Sequence, residues 1–241
     1  MTDREAPDPA PDPAPGSAPV TAASLLRRMR AATVLAGPLP PFDPATAGPA
    51  PGPLFAEWLA YALDDGVPEP HVMTLSTVAA DGRPSARVLM LRGVDLERCA
   101  FVFASEAGSR KGRELAASPQ AALTSYWPRH GRQIRMAGPV RALDADAARS
   151  DFLGRRECSR IAGFTGLMSA PLAGPEAYEE ERRRASARVA AEPEAVPQGH
   201  TVYELTATEA EFFQGDTGGF HRRLRYTREA DGGWSRGLLF P

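Results

Sequence analysis

HVMTLSTVAADGRPSARVLMLR, residues 71–92, is the stretch from which the fold is read. Apolar and β-branched residues run over 72–78, the turn Ala80-Asp81-Gly82 interrupts them, and a second apolar run occupies 86–91. Two-residue periodicity puts Arg87 and Leu89 on one face of the second strand and Val88, Met90 and Arg92 on the other. Outward from this pair, strand signals recur at 100–104, 121–127 and 133–143, and again at 201–207, 223–228 and 234–240. Helical patterns lie between them. Phe55, Trp58, Leu59, Ala62 and Leu63 recur at helical spacing up to a turn at 64–66, and further helices are expected at 109–117, 144–153 and 176–191. Many short strands with few long helices predict a mainly β fold with flanking helices, closed as an antiparallel barrel.

Upstream the character changes. Thirteen of the 24 prolines fall within the first 53 residues, so 1–52 is expected to be a proline-rich, largely disordered extension and 53–241 the folded body. A brief helix at 22–35, with Leu25, Leu26, Met29 and Val34 on one face, is the exception. At 43% hydrophobic and 24% charged, the chain has material for a real core. Its formal charge of −2 creates no global field for nucleic acid or membranes. Cys99 and Cys158 follow no metal spacing and are expected to be reduced thiols. No apolar run reaches the roughly 18–20 residues of a membrane span, and the acidic opening has no apolar signal core, so the cytoplasm is expected.

Local basic clusters carry the chemistry. Gly108-Ser109-Arg110-Lys111-Gly112 opens a helix, where free N–H groups and the helix dipole favour an anion. Arg87 and Arg92 bracket an apolar strand and need partners, a ligand phosphate or a surface carboxylate. Arg155-Arg156-Glu157-Cys158-Ser159-Arg160 reads as a donor-rich site or as an exposed helix end. His221, Arg222, Arg223 and Arg225 follow Gly215, Gly218 and Gly219, either as an anion site or as a solvated basic hairpin. The four histidines lack metal spacing; His71, His130 and His200 are read as structural. There is no GxSxG elbow, GxGxxG or GxxxxGK[ST] loop. Anion sites without a nucleophile or acid/base pair suggest that a bound cofactor does the chemistry.

RVLMLR at 87–92, FASEAGSRKGREL at 103–115, QIRMAGPV at 133–140 and the closing EFFQG…HRRLRY…GGW…P resemble the pyridoxamine 5′-phosphate oxidase family, in the same order and spacing from about residue 53 to 241. The resemblance implies an FMN-binding split β-barrel and a homodimer with flavin at the subunit interface. It also implies oxidation of pyridoxamine or pyridoxine 5′-phosphate to pyridoxal 5′-phosphate, with hydride passing to FMN and O₂ reoxidising it to give H₂O₂. By resemblance, Arg87, Val88, Leu89, Met90, Leu91, Ala104, Ser105, Arg110, Lys111, Gln133, Ser169, Phe213 and Arg223 bind the flavin. Met168 and Phe213 stand where the family has glutamine and tryptophan. Arg92, Arg155, Ser159 and His221 match substrate ligands, with His221 as the catalytic candidate; no metal is implied.

Two substrate positions depart from the family. Asp151 replaces a tyrosine, where its charge would repel a phosphate, and Gly219 replaces an arginine whose place Arg222 is positioned to take. The phenazine-biosynthesis oxidases, which act on a non-phosphorylated tricyclic carboxylate, are resembled equally well through 66–78, the SRKGRELA block and RLRY…GGW. A flavin-binding protein without turnover is the third expectation.

Overall fold

A computed structural model describes residues 20–165 and 168–241. β1 (Val72–Val78) and β2 (Pro84–Met90) pair antiparallel about the expected turn, with Thr74 opposite Val88. Gly82 takes φ +82° there, a left-handed conformation suited to a residue without Cβ. The chain then bends at Leu91 and Arg92 into the short β3 (Gly93–Asp95), which pairs with β4 (Ala100–Glu106). β5 (Gln120–Trp127) lies between β1 and the 11-residue β6 (Arg132–Ala142). Residues 132–137 of β6 pair with β8 (Glu209–Gln214), and 140–142 pair with β7 (His200–Thr206), which also pairs with β4. With β2 and β3 taken as one bent strand, the pairings β1-β2/β3-β4-β7-β6-β5 return to β1, which is the closed antiparallel barrel expected from the sequence. β9 (Arg222–Arg228) and β10 (Trp234–Leu239) extend the sheet beyond β8.

Alternation along the strands decides which side chains fill the barrel. Met73, Leu75, Leu123, Ile134, Met136 and Phe212 are fully buried, while their strand neighbours face outward. Helix α2 (Pro51–Asp64) adds Leu54, Phe55, Trp58 and Ala62 to this core, whereas Leu63 stays exposed. Trp58 is met edge-on by Phe42 and Phe212 at centroid distances of 5.0 and 5.3 Å.

The expected domain boundary at residue 53 falls inside α2, and Phe42 belongs to the core. The proline run before it packs because its carbonyls find arginine donors on the barrel. Arg132 donates to Pro41 O at 3.3 Å, Arg222 to Phe42 O, and Arg236 to Pro44 O and Ala47 O. Proline has no N–H to satisfy, so an extended run needs only its acceptors covered. The helix expected at 22–35 is α1 (Ala22–Ala31), closed by a Thr21–Ser24 capping box and burying none of its residues. The expectation for residues 1–19 lies outside the described residues.

Two strands and one α-helix have no counterpart in the sequence reading, β3, β8 and α5 (Glu157–Gly163), nor has the 3-10 turn at Pro44–Thr46. Glu209 and Glu211 interrupt the apolar alternation of β8, yet Glu211 is buried against Arg135 and Arg223.

Candidate active site

The start of α3 (Arg110–Ala117) meets β2 and β4 at a cavity of about 220 Å³. Val88, Leu89 and Ala104 supply its apolar wall, and Ser105 and Lys111 its polar end, with Thr165 and Met168 closing one side. Ser109 is a fully buried N-cap whose hydroxyl accepts from Gly112 N at 3.2 Å. Lys111 Nζ donates to Ser105 Oγ at 3.1 Å. Burial, with Arg87 nearby, holds the Lys111 ammonium below its ordinary pKa. Arg110 N donates to Ser169 Oγ at 3.4 Å, so the Ser169 hydroxyl reaches the first helical turn. An apolar slot ending in a lysine, hydroxyls and a helix N-terminus fits a planar ring with an anionic tail. FMN has that chemistry, and Lys111, Ser105 and the turn at Arg110 could hold its phosphate.

Arg87 and the Arg110 side chain turn elsewhere. Both bind Glu114, a carboxylate only 5% exposed that also accepts from Thr77 Oγ1 at 2.5 Å and Ser85 Oγ at 2.6 Å. Arg87 donates further to Thr77 and Ser85 at 2.6 and 2.5 Å. Burial opposes the Glu114 charge, but the bonds from Ser85, Thr77, Arg110 and Arg87 prevail and bring its pKa down to about 2. Arg87, expected to face the flavin phosphate, is therefore braced by a carboxylate and lines neither this cavity nor the next. Leu91 points into the core.

An adjoining cavity of about 310 Å³ shares Ala104 and Arg155 with the first, and Met90, Arg92, Arg156 and Ser159 complete most of its wall. Arg92, Arg155 and Ser159, which are 63 and 67 residues apart in sequence when counted from Arg92 (155 − 92 and 159 − 92), are thus brought together. Asp151, on α4 (Ala145–Leu153), accepts from Arg92 Nε at 2.8 Å and from Arg155 Nη2 at 2.7 Å, and lies 2.8 Å from His200 Nε2.

The remaining candidates form a separate group on the β6-β8-β9 sheet. Gln133 is opposite Phe213, and Phe213 opposite Arg223, so the three stand in one row. Arg223 Nε donates to Glu211 at 2.8 Å and Nη1 to Phe240 O at 2.9 Å. His221 lies 5.0 Å from the Phe213 ring, and its Nδ1 accepts from Asp216 N at 3.0 Å. Gly219 has φ +85°, which disfavours any side chain there, and Arg222 is turned to Phe42 rather than into Gly219's place. These residues line neither cavity within one chain. Among the described residues no cluster of three His, Cys, Asp or Glu is spaced to hold a metal ion.

Two members of the site escaped the sequence reading. His200, read as structural, bonds Asp151 from 49 residues away, a separation with no sequence signal. Glu114 did leave one, because it stands four residues after Arg110 on the same helix.

Residues 59–214 match the family model described as pyridoxamine 5′-phosphate oxidase, and 200–241 match the pyridoxine 5′-phosphate oxidase C-terminal dimerisation region. A pyridoxine/pyridoxamine 5′-phosphate oxidase of Burkholderia orbicola is 40% identical over 201 residues, covering 83% of this chain and 92% of the relative. One from Bordetella petrii is 39% identical over 189 residues, covering 78% and 87%. Among solved structures, PhzG from Burkholderia lata, in complex with tetrahydrophenazine-1-carboxylic acid, is 29% identical with a TM-score of 0.76, covering 85% of this chain and 100% of that one.

Proposed function

Because the chain belongs to the pyridoxamine 5′-phosphate oxidase family, we propose that it is an FMN-dependent oxidase acting on a small anionic aromatic substrate, with O₂ as final acceptor. The observation that carries this reading is the pair of adjoining cavities, a slot suited to a flavin and an arginine-lined pocket opening beside it through Ala104 and Arg155. Bound FMN would supply the hydride acceptor and the route by which O₂ is reduced to H₂O₂. Lys111, Ser105 and the α3 N-terminus anchor its phosphate, and Val88, Leu89 and Ala104 keep water off the ring. Arg92, Arg155 and Ser159 orient the substrate's anionic end. His221 is placed to act on substrate only if a second subunit brings it to the slot, so the working unit is a homodimer joined through the C-terminal region.

The closely related curated oxidases support pyridoxamine or pyridoxine 5′-phosphate as substrate, giving pyridoxal 5′-phosphate. A second reading, a dihydrophenazine carboxylate, is favoured by Asp151, whose charge stands among the cradle arginines, and by the likeness to PhzG. Purified protein should be yellow. Replacing Arg110 and Lys111 together by alanine should weaken FMN binding by about tenfold or more, as loss of charged hydrogen bonds implies; full flavin retention would refute the slot. Anaerobic addition of each substrate separates the readings, since only the true one bleaches the flavin.

A further inference from the structure

The cradle beside the flavin slot already contains an anion. Asp151 is 11% exposed and takes Arg155 through Nε at 3.0 Å and Nη2 at 2.7 Å. It also takes Arg92 through Nε at 2.8 Å, with His200 Nε2 at 2.8 Å completing the set. The Nε/Nη2 edge is the one with which a guanidinium clamps an oxyanion. In Arg155 that edge is turned to Asp151, and in Arg92 the Nε is. Among the described residues, the cation in the wall without such a tie is Arg156, which is exposed to solvent.

We infer that Asp151 is a specificity-determining residue: it gives the cradle its own carboxylate, so that the pocket takes an aromatic substrate with a singly charged carboxylate and discriminates against a phosphate dianion. A phosphate placed on Arg92, Arg155 and Ser159 would share its donors with Asp151 and lie against a like charge. Protonation does not relieve this. Burial works against the Asp151 charge, but His200, Arg92 and Arg155 outweigh it and hold the carboxyl far below the usual carboxylate range.

The inference rests on reading this cavity as the substrate pocket of a flavin oxidase. Its test is calorimetric titration of the flavin-loaded wild type, Asp151→Asn and Asp151→Tyr with pyridoxal 5′-phosphate, pyridoxal and phenazine-1-carboxylate. In the wild type the phosphate should improve binding over pyridoxal by no more than about threefold, and phenazine-1-carboxylate should bind tightest. Either substitution should tighten pyridoxal 5′-phosphate by about tenfold or more, with pyridoxal nearly unchanged. A wild-type preference for the phosphate of about a hundredfold would overturn the inference, whether or not the variants fold. An unchanged phosphate-to-pyridoxal ratio in folded variants would do the same, as would failure of all three ligands to bind. Failure of the protein to bind FMN, titrated separately, strikes instead at the proposed function; the same titrations on the flavin-free protein then report on the cradle by themselves.

Discussion

Glu114 shows how one side chain can organise a site that it does not line. Its carboxylate gathers Arg87, Arg110, Thr77 and Ser85, drawing donors from β1, β2 and α3 to a single buried point. Its pKa falls from an ordinary 4.5 to about 2, so the folded state prefers the charged form. A carboxyl lowered in this way contributes stability that is complete above about pH 4.5 and is lost as pH falls towards 2. Glu114→Gln should therefore be less stable than wild type at neutral pH, and the gap should shrink between about pH 4.5 and 2 in denaturant titrations. A gap constant across that window would mean that the charge is not what Glu114 contributes.

At the scale of elements, the proline-rich segment before α2 behaves as an extended strap. Arginines from β6, β9 and β10 cover its carbonyls, and Phe42 anchors it to Trp58. Phe42→Ala should cost about 3–4 kcal/mol of unfolding free energy, the range for deleting a buried aromatic ring. Leu25→Ala, on the exposed α1, should change stability by less than about 0.5 kcal/mol. Chemical denaturation of the two variants checks both expectations, and equal effects would show that the strap is not part of the cooperative unit.

For the whole molecule, the candidate site residues lie in two groups that one chain does not unite. Lys111, Ser105, Arg92, Arg155 and Ser159 surround the paired cavities, while Gln133, Phe213, His221 and Arg223 occupy the β6-β8-β9 sheet. Apolar side chains stand exposed near both, Val88 by the cavity and Leu238 and Phe240 at the C-terminal edge. On the proposed reading, association of two chains through the C-terminal region would bury such surface and bring one group to the other. Sedimentation monitored at the flavin absorbance should find FMN only on the dimer, with flavin lost as dilution produces monomer; flavin sedimenting with monomer would place the complete site in one chain.

Eight of the ten strands, the turn at Gly82, the helix start at Ser109 and the four family blocks were legible in the sequence, because each depends on neighbours within a few residues. Those local patterns determined the barrel and the family. Tertiary structure alone decided the partners of the charges. Arg87 goes to Glu114, 27 residues on, Arg92 to Asp151, 59 residues on, and Arg223 to Glu211 on the neighbouring strand β8. Buried or half-buried charges must be neutralised by whatever the fold brings within about 3 Å, and no periodicity in a chain announces which residue that will be.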